Sequence, residues 1–224
     1  MTQTLRSDVL IPPLSLAGTL QIPSAPKGLI LFAHGSGSSR FSIRNNAVAD
    51  RLVNGGFATL LLDLLTATEE GDRQKVFDIP LLSGRLVDAA NWIHQQPELS
   101  TLPLGLFGAS TGAAAALLAA VELGPRIKGI VSRGGRPDLA GQSLQRVEAP
   151  TLLIVGGDDG TVLELNKQAL AELTCVKAIR VIPGATHLFE EPGALDEVSR
   201  YASEWFSTYM RLEQAGLAED DSTG

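Results

Sequence analysis

The sequence predicts an α/β domain built on a mostly parallel, eight-stranded sheet with helices on both faces. Three observations predict it. Apolar runs too short for helices, each bounded by Gly, Pro or polar residues, alternate with longer segments that carry a helical repeat. At 224 residues, 44% hydrophobic and 19% charged, the chain can bury one large core. No internal repeat and no Ser/Gly/Pro-rich linker divides it.

The strand runs, in order, are Asp8–Ile11, Leu16–Ile22, Gly28–Ala33, Ala58–Leu62, Leu102–Phe107, Ile127–Ser132, Thr151–Val155 and Ala178–Ile182. Pro12 and Pro13 fall early, where an edge strand or a turn tolerates a missing donor. Between the runs, Ser42–Asn54 ends in Asn54-Gly55-Gly56, residues suited to the left-handed end of a helix. Leu82, Leu86, Ala89, Ala90 and Ile93 recur at helical spacing, as do Leu195, Val198, Ala202, Trp205 and Tyr209. Gly112–Leu123 is almost entirely Ala and Leu, so a helix there is apolar on every side and suits the centre of the sheet. A single domain is expected over residues 1–212, with 213–224 a flexible acidic tail.

The bulk properties exclude several classes. A net charge of -7 opposes binding to nucleic acid or an anionic membrane surface. One cysteine, Cys175, cannot form an internal disulfide, and its expected role is packing near the end of a helical run. The start lacks a basic stretch followed by an unbroken apolar run, and no later segment offers about 18 consecutive apolar residues. A cytoplasmic, soluble protein is the expectation.

Chemistry enters at Gly108-Ala109-Ser110-Thr111-Gly112. A G-x-S-x-G pattern arises by chance in roughly one in six chains of this composition, so alone it says little. Its context says more: it follows the strand run LPLGLF and opens the helical run AAAALLAAVEL, the strand, sharp turn and helix of a nucleophile elbow. A Cβ at 108 or 112 would meet the neighbouring strand or helix. The turn would lift the Ser110 hydroxyl above the carboxyl ends of the strands, beside the N–H groups of the helix that follows.

A serine hydroxyl needs a base. Of three histidines, His94 reads as a solvated helix residue, and His34 as an anchor for the turn His34-Gly35-Ser36-Gly37-Ser38-Ser39. His187, in a Gly- and Pro-bounded loop after the last strand run, is left as the base. The acid should follow a strand between serine and histidine, and Gly157-Asp158-Asp159-Gly160 supplies it. Asp159 is preferred, with Asp158 a solvated turn residue and Asp63 a fallback. Its role would be to hold the His187 tautomer. Oxyanion donors are expected from the N–H groups of Thr111 and of Ser36, with Gly37 the alternative to Ser36. Gly35, Gly37 and Arg40 are candidate substrate-binding residues. Arg40, Arg133 and Arg136 all sit at the same edge, and bracing the loops is their favoured role. A phosphate cradle is disfavoured for HGSGSS, because no Lys follows in P-loop spacing.

The order HGSGSS, GASTG, GGDDGTV, GATHLFEEPG resembles the dienelactone-hydrolase-like branch of the α/β-hydrolases from Lys27 to Met210. It is particularly similar to small hydrolases also found fused to phosphoribosyltransferase domains. The resemblance implies the α/β-hydrolase fold and a triad at Ser110, Asp159 and His187. It favours Asp159 because the family acid stands three residues before a valine, here Val162. The dienelactone hydrolases proper carry a cysteine nucleophile where this chain has Ser110, which points to serine esterase chemistry on a small ester or lactone.

No metal or organic cofactor is needed for that chemistry. The alternatives are a non-catalytic binding or regulatory module on the same fold, or an acyltransferase using the same triad. Only about 18 residues separate Ser132 from Thr151, too few for a cap domain, so an open cleft is expected. Thr66–Phe77 is the candidate for a small flap.

Overall fold

The computed structural model describes residues 4–211; the tail expected at 213–224 lies outside them. Eight strands are present: β1 (Leu5–Ile11), β2 (Leu16–Ile22), β3 (Leu29–Ala33), β4 (Ala58–Leu62), β5 (Leu104–Ala109), β6 (Ile127–Arg133), β7 (Thr151–Gly156) and β8 (Lys177–Ile182). They form one sheet in the order β1-β2-β4-β3-β5-β6-β7-β8. β2 runs antiparallel to both β1 and β4, and every other pair is parallel. Each predicted strand is found. Most bounds agree within one residue, but two strands differ by more: β1 starts at Leu5 rather than Asp8, and the fifth run starts at Leu104 rather than Leu102, because Leu102 N–H closes a turn onto Leu99 O, and continues to Ala109.

The helices are α1 (Ile43–Asn54), α2 (Arg73–Val76), α3 (Ile79–Gln95), α4 (Thr111–Leu123), α5 (Gly160–Glu172) and α6 (Ala194–Tyr209). Ser42 caps α1 by accepting from Asn45 N. Gly56 rather than Gly55 takes the positive φ at its far end. No helix among the described residues is long and apolar enough to cross a membrane.

Strand alternation divides the core. In β3, Leu29, Leu31 and Ala33 enter one apolar layer with α3 and α4, whereas Ile30 and Phe32 enter the other with α1 and α6. Because α4 lies between the sheet, α3 and the 3-10 segment Pro137–Arg146, ten of its thirteen residues are buried. That enclosure is why its sequence has no polar face. The β6–β7 connection holds only those 3-10 turns, so no separate cap is present.

The elbow fixes how closely α4 approaches. A Cβ on Gly108 would lie 2.4 Å from Ala113 Cα, and one on Gly112 would lie 2.3 Å from Ala33 O. Neither neighbour can yield, since both are backbone. Gly112→Ala should therefore destabilise the protein by about 3 kcal/mol, the upper range for overpacking a core. Chemical denaturation measures it, and a variant as stable as wild type would contradict the packing described.

Candidate active site

Ser110 is the single residue between β5 and α4, and it bridges them at φ 51°, ψ -123°. L-residues adopt that conformation only under constraint from their surroundings. The constraint is visible in the main chain. Ser110 N–H donates to Arg133 O at 3.2 Å, and Ser110 O accepts from Arg136 N–H at 3.0 Å, so the loop after β6 holds the serine on both sides. Gly134, between those two contacts, lies against His187: its Cβ position is 3.0 Å from His187 O and 3.6 Å from His187 Nδ1.

Asp159 and His187 are paired, with Asp159 Oδ2 accepting from His187 Nδ1 at 2.6 Å. Asp159 stands at the N-terminus of α5, half-buried, while Asp158 is exposed. Gly156 lets the two loops meet, since a Cβ there would fall 2.3 Å from Ala185 O. Asp158 N–H then donates to Ala185 O and Gly157 N–H to Ile182 O. The histidine loop is pinned by Phe189, fully buried at φ 58°, and by the Arg44–Glu190 ion pair to α1. The hydrogen bonds of the described residues include none from Ser110 Oγ to His187.

The structure thus brings Ser110, Thr111, Asp159 and His187 to the carboxyl edge of the sheet, together with the turn at 34–39. Gly35 is held against the elbow, its Cβ position 2.9 Å from Ser110 Cβ, and Gly37 takes φ 69° at the tip of the turn. Two site expectations need correction. Ser36 N–H does not face an empty oxyanion position in this conformation, because it donates to Thr111 Oγ1 at 2.9 Å. Arg40 is not free for substrate: its side chain pairs with Asp63, and its N–H donates to Asp63 Oδ1 at 2.6 Å. The same pairing places Asp63 at the end of β4 as a partner of Arg40, not of His187.

Of the other two arginines, Arg136 is paired and Arg133 leaves Nε and Nη1 without a partner among the described residues. Arg136 grips Asp138 with two bonds of 2.9 and 2.8 Å. Arg133 lies buried beside Asn45, and its pKa is pushed down to about 10 by that burial and by the nearby Arg44. His94 is exposed on α3, and Cys175 sits beyond the end of α5 near Thr151. Among the described residues no group of three or more His, Cys, Asp or Glu is placed to hold a metal ion.

Residues 16–212 match the family described as "Dienelactone hydrolase family". The chain belongs to the dienelactone hydrolase family. A dienelactone hydrolase crystal structure from Anabaena variabilis is 51% identical, with a TM-score of 0.90 over 94% of this chain and 99% of that one. Two Mycobacterium tuberculosis proteins, provisionally named phosphoribosyl transferases, are 55% identical over 202 residues, 90% of this chain. That match covers 46% of their sequence, so the chain spans about half the length of these relatives. Est1E from Butyrivibrio proteoclasticus shares the fold at 15% identity, with a TM-score of 0.76 over 91% of this chain and 98% of that one. The family is one of hydrolases, and the eight-stranded sheet is its fold.

In this family member a cavity of about 540 Å3 opens beside the elbow, between the 34–39 turn and Leu65, Glu70, Arg73, Val76 and Leu82. Its outer wall is the segment predicted as a flap, and that wall is fastened. Glu69 accepts from Thr66 N–H and Thr66 Oγ1 and pairs with Lys75 and Arg85. The Thr66 N–H bond, aided by the other donors, pulls the Glu69 carboxyl down to about 2. Sequence reasoning missed this staple, although the T-x-x-E spacing of a capping box advertised it. Glu70 and Arg73, which put charge on the cavity wall, carry no such signal.

His34 holds the inner wall. Its Nε2 accepts from Leu64 N–H at 3.0 Å, which leaves the proton on Nδ1 to be donated to Gly35 O at 2.9 Å. Burial keeps its pKa below the ordinary imidazole value. The unfolded chain therefore takes up this proton first, so the stability owed to the neutral ring is complete above about pH 6.5 and declines as pH falls through that value. Thermal unfolding measured by circular dichroism should show this acid-side decline in wild type and a flatter one in His34→Gln. Equal slopes would contradict the assignment.

Proposed function

We propose that this chain is a serine hydrolase that cleaves a small carboxylic ester or lactone through an acyl-enzyme. The observation that carries the reading is the 2.6 Å Asp159–His187 hydrogen bond, set against the loop that grips the backbone of Ser110. With its proton on Nδ1 and directed to Asp159, His187 presents the lone pair of Nε2. Ser110 Oγ transfers its proton there as it attacks the substrate carbonyl. A serine–imidazole bond of this kind tightens as substrate binds.

Thr111 N–H, at the start of α4, is oriented by the elbow toward the oxygen that gains charge. His187 then protonates the departing alkoxide and, in the second half-reaction, activates the water that releases the acyl group. The neighbouring cavity of about 540 Å3, bounded by the 34–39 turn and residues 65–82, is of a size for a small molecule. Family membership and the fold support hydrolysis as the reaction class.

Steady-state hydrolysis of p-nitrophenyl acetate tests the triad. Ser110→Ala should lower kcat on the order of a millionfold, and Asp159→Asn, which inverts the tautomer preference of His187, on the order of 10⁴-fold. Hydrolysis by Ser110→Ala at the wild-type rate would refute the serine mechanism.

A further inference from the structure

One donor expected at the oxyanion is already in use. Ser36 N–H donates to Thr111 Oγ1 at 2.9 Å, tying the turn after β3 to the first residue of α4. A threonine hydroxyl accepts through its lone pairs and has a single proton to give. Here the acceptor side is occupied by Ser36, and no hydrogen bond among the described residues has Thr111 Oγ1 as its donor. The residue is only 5% exposed. A nearly buried hydroxyl with its proton unspent therefore sits one residue from the nucleophile.

We infer that the Thr111 side chain is itself a catalytic group, whose hydroxyl, held by Ser36 N–H, donates to the oxyanion alongside Thr111 N–H. The inference rests on the serine acyl-transfer reading. In the addition step the Ser110 Oγ–carbon bond forms, the Oγ proton passes to His187 Nε2, and the carbonyl π pair moves onto oxygen. Thr111 supplies a hydrogen bond to that oxygen and transfers no proton. On collapse the pair returns to re-form C=O, and the leaving alkoxide departs with the proton from His187. Ser36 acts through Thr111 and is a positioning residue. Its N–H also polarises the hydroxyl, since a donor that is itself accepting a hydrogen bond donates more strongly. β-Branching restricts χ1 of Thr111, which favours a fixed Oγ1.

The rival account is a plug: substrate displaces the Thr111 side chain and uses Ser36 N–H directly. Thr111→Val separates the two, because it removes the hydroxyl, keeps the shape and frees Ser36 N–H. With p-nitrophenyl acetate, a catalytic hydroxyl predicts that kcat falls about a hundredfold in Thr111→Val, in the range for loss of one oxyanion donor, while KM changes little. Affinity for an alkyl boronic acid, which forms a tetrahedral adduct with the serine, should fall in parallel. Thr111→Ser should retain most of both. A Thr111→Val enzyme as fast as wild type, or faster, would overturn the inference in favour of the plug. If the valine variant does not fold, Thr111→Ala against Thr111→Ser makes the same comparison.

Labelling with a fluorophosphonate, read by mass spectrometry, keeps the two levels of the argument apart. Ser110 labelled in every variant, with kcat indifferent to the hydroxyl, removes only the role of Thr111. Ser110 unlabelled in wild type removes the serine mechanism and this inference with it.

Discussion

A strand and a helix joined by one residue set the terms for the rest of this molecule. With β5 ending at Ala109 and α4 beginning at Thr111, Ser110 must turn the chain alone, at a backbone conformation that costs on the order of 1–3 kcal/mol. The helix that emerges is pressed onto the sheet so closely that positions 108 and 112 have no space for a side-chain atom. Burial of α4 on nearly every side offsets that strain and explains its Ala-rich composition. The same approach aims the first N–H groups of α4 at the position above Ser110, where negative charge is most stabilised.

Main-chain contacts, rather than long side chains, carry the other candidate groups to that point. The loop after β6 brackets Ser110, Gly134 N–H reaches Ile154 O in β7, and the turn after β7 is bonded to Ile182 at the end of β8 and to Ala185 in the histidine loop. Each loop is positioned by the one next to it in the sheet, so parallel order alone assembles the constellation. Charged side chains stitch the periphery: Arg40 to Asp63, Arg44 to Glu190, Arg136 to Asp138. Arg40 and Arg136 are thereby engaged in ion pairs, whereas the buried Arg133 bonds only Asn45 and leaves Nε and Nη1 without a partner among the described residues.

Much of this was legible in the sequence because both strand and elbow signals are local. All eight strands could be read from apolar runs, and Ser110, Asp159 and His187 from their places after particular strands. α5 was harder. Only Asn166 and Ala169 of that helix are buried, so its thin apolar stripe suggests a helical run before Cys175 without fixing its bounds. The Arg40–Asp63 pair and the Ser36–Thr111 bond join residues 23 and 75 positions apart. Neither has a sequence pattern, because each depends on how two loops happen to lie once the sheet has formed. Glu69 is the opposite case, a local capping pattern present in the sequence and overlooked because its surroundings are charged and irregular.

The central claim is that a serine, an imidazole and a carboxylate from three separated loops act as one unit at the carboxyl edge of the sheet. A crystal structure of the protein after reaction with a fluorophosphonate tests it most directly. The account predicts phosphorus bonded to Ser110 Oγ, a phosphoryl oxygen on Thr111 N–H, and His187 Nε2 within about 3.2 Å of Oγ or of the adduct. An adduct on another residue, or a modified Ser110 with His187 still out of hydrogen-bonding reach, would contradict it.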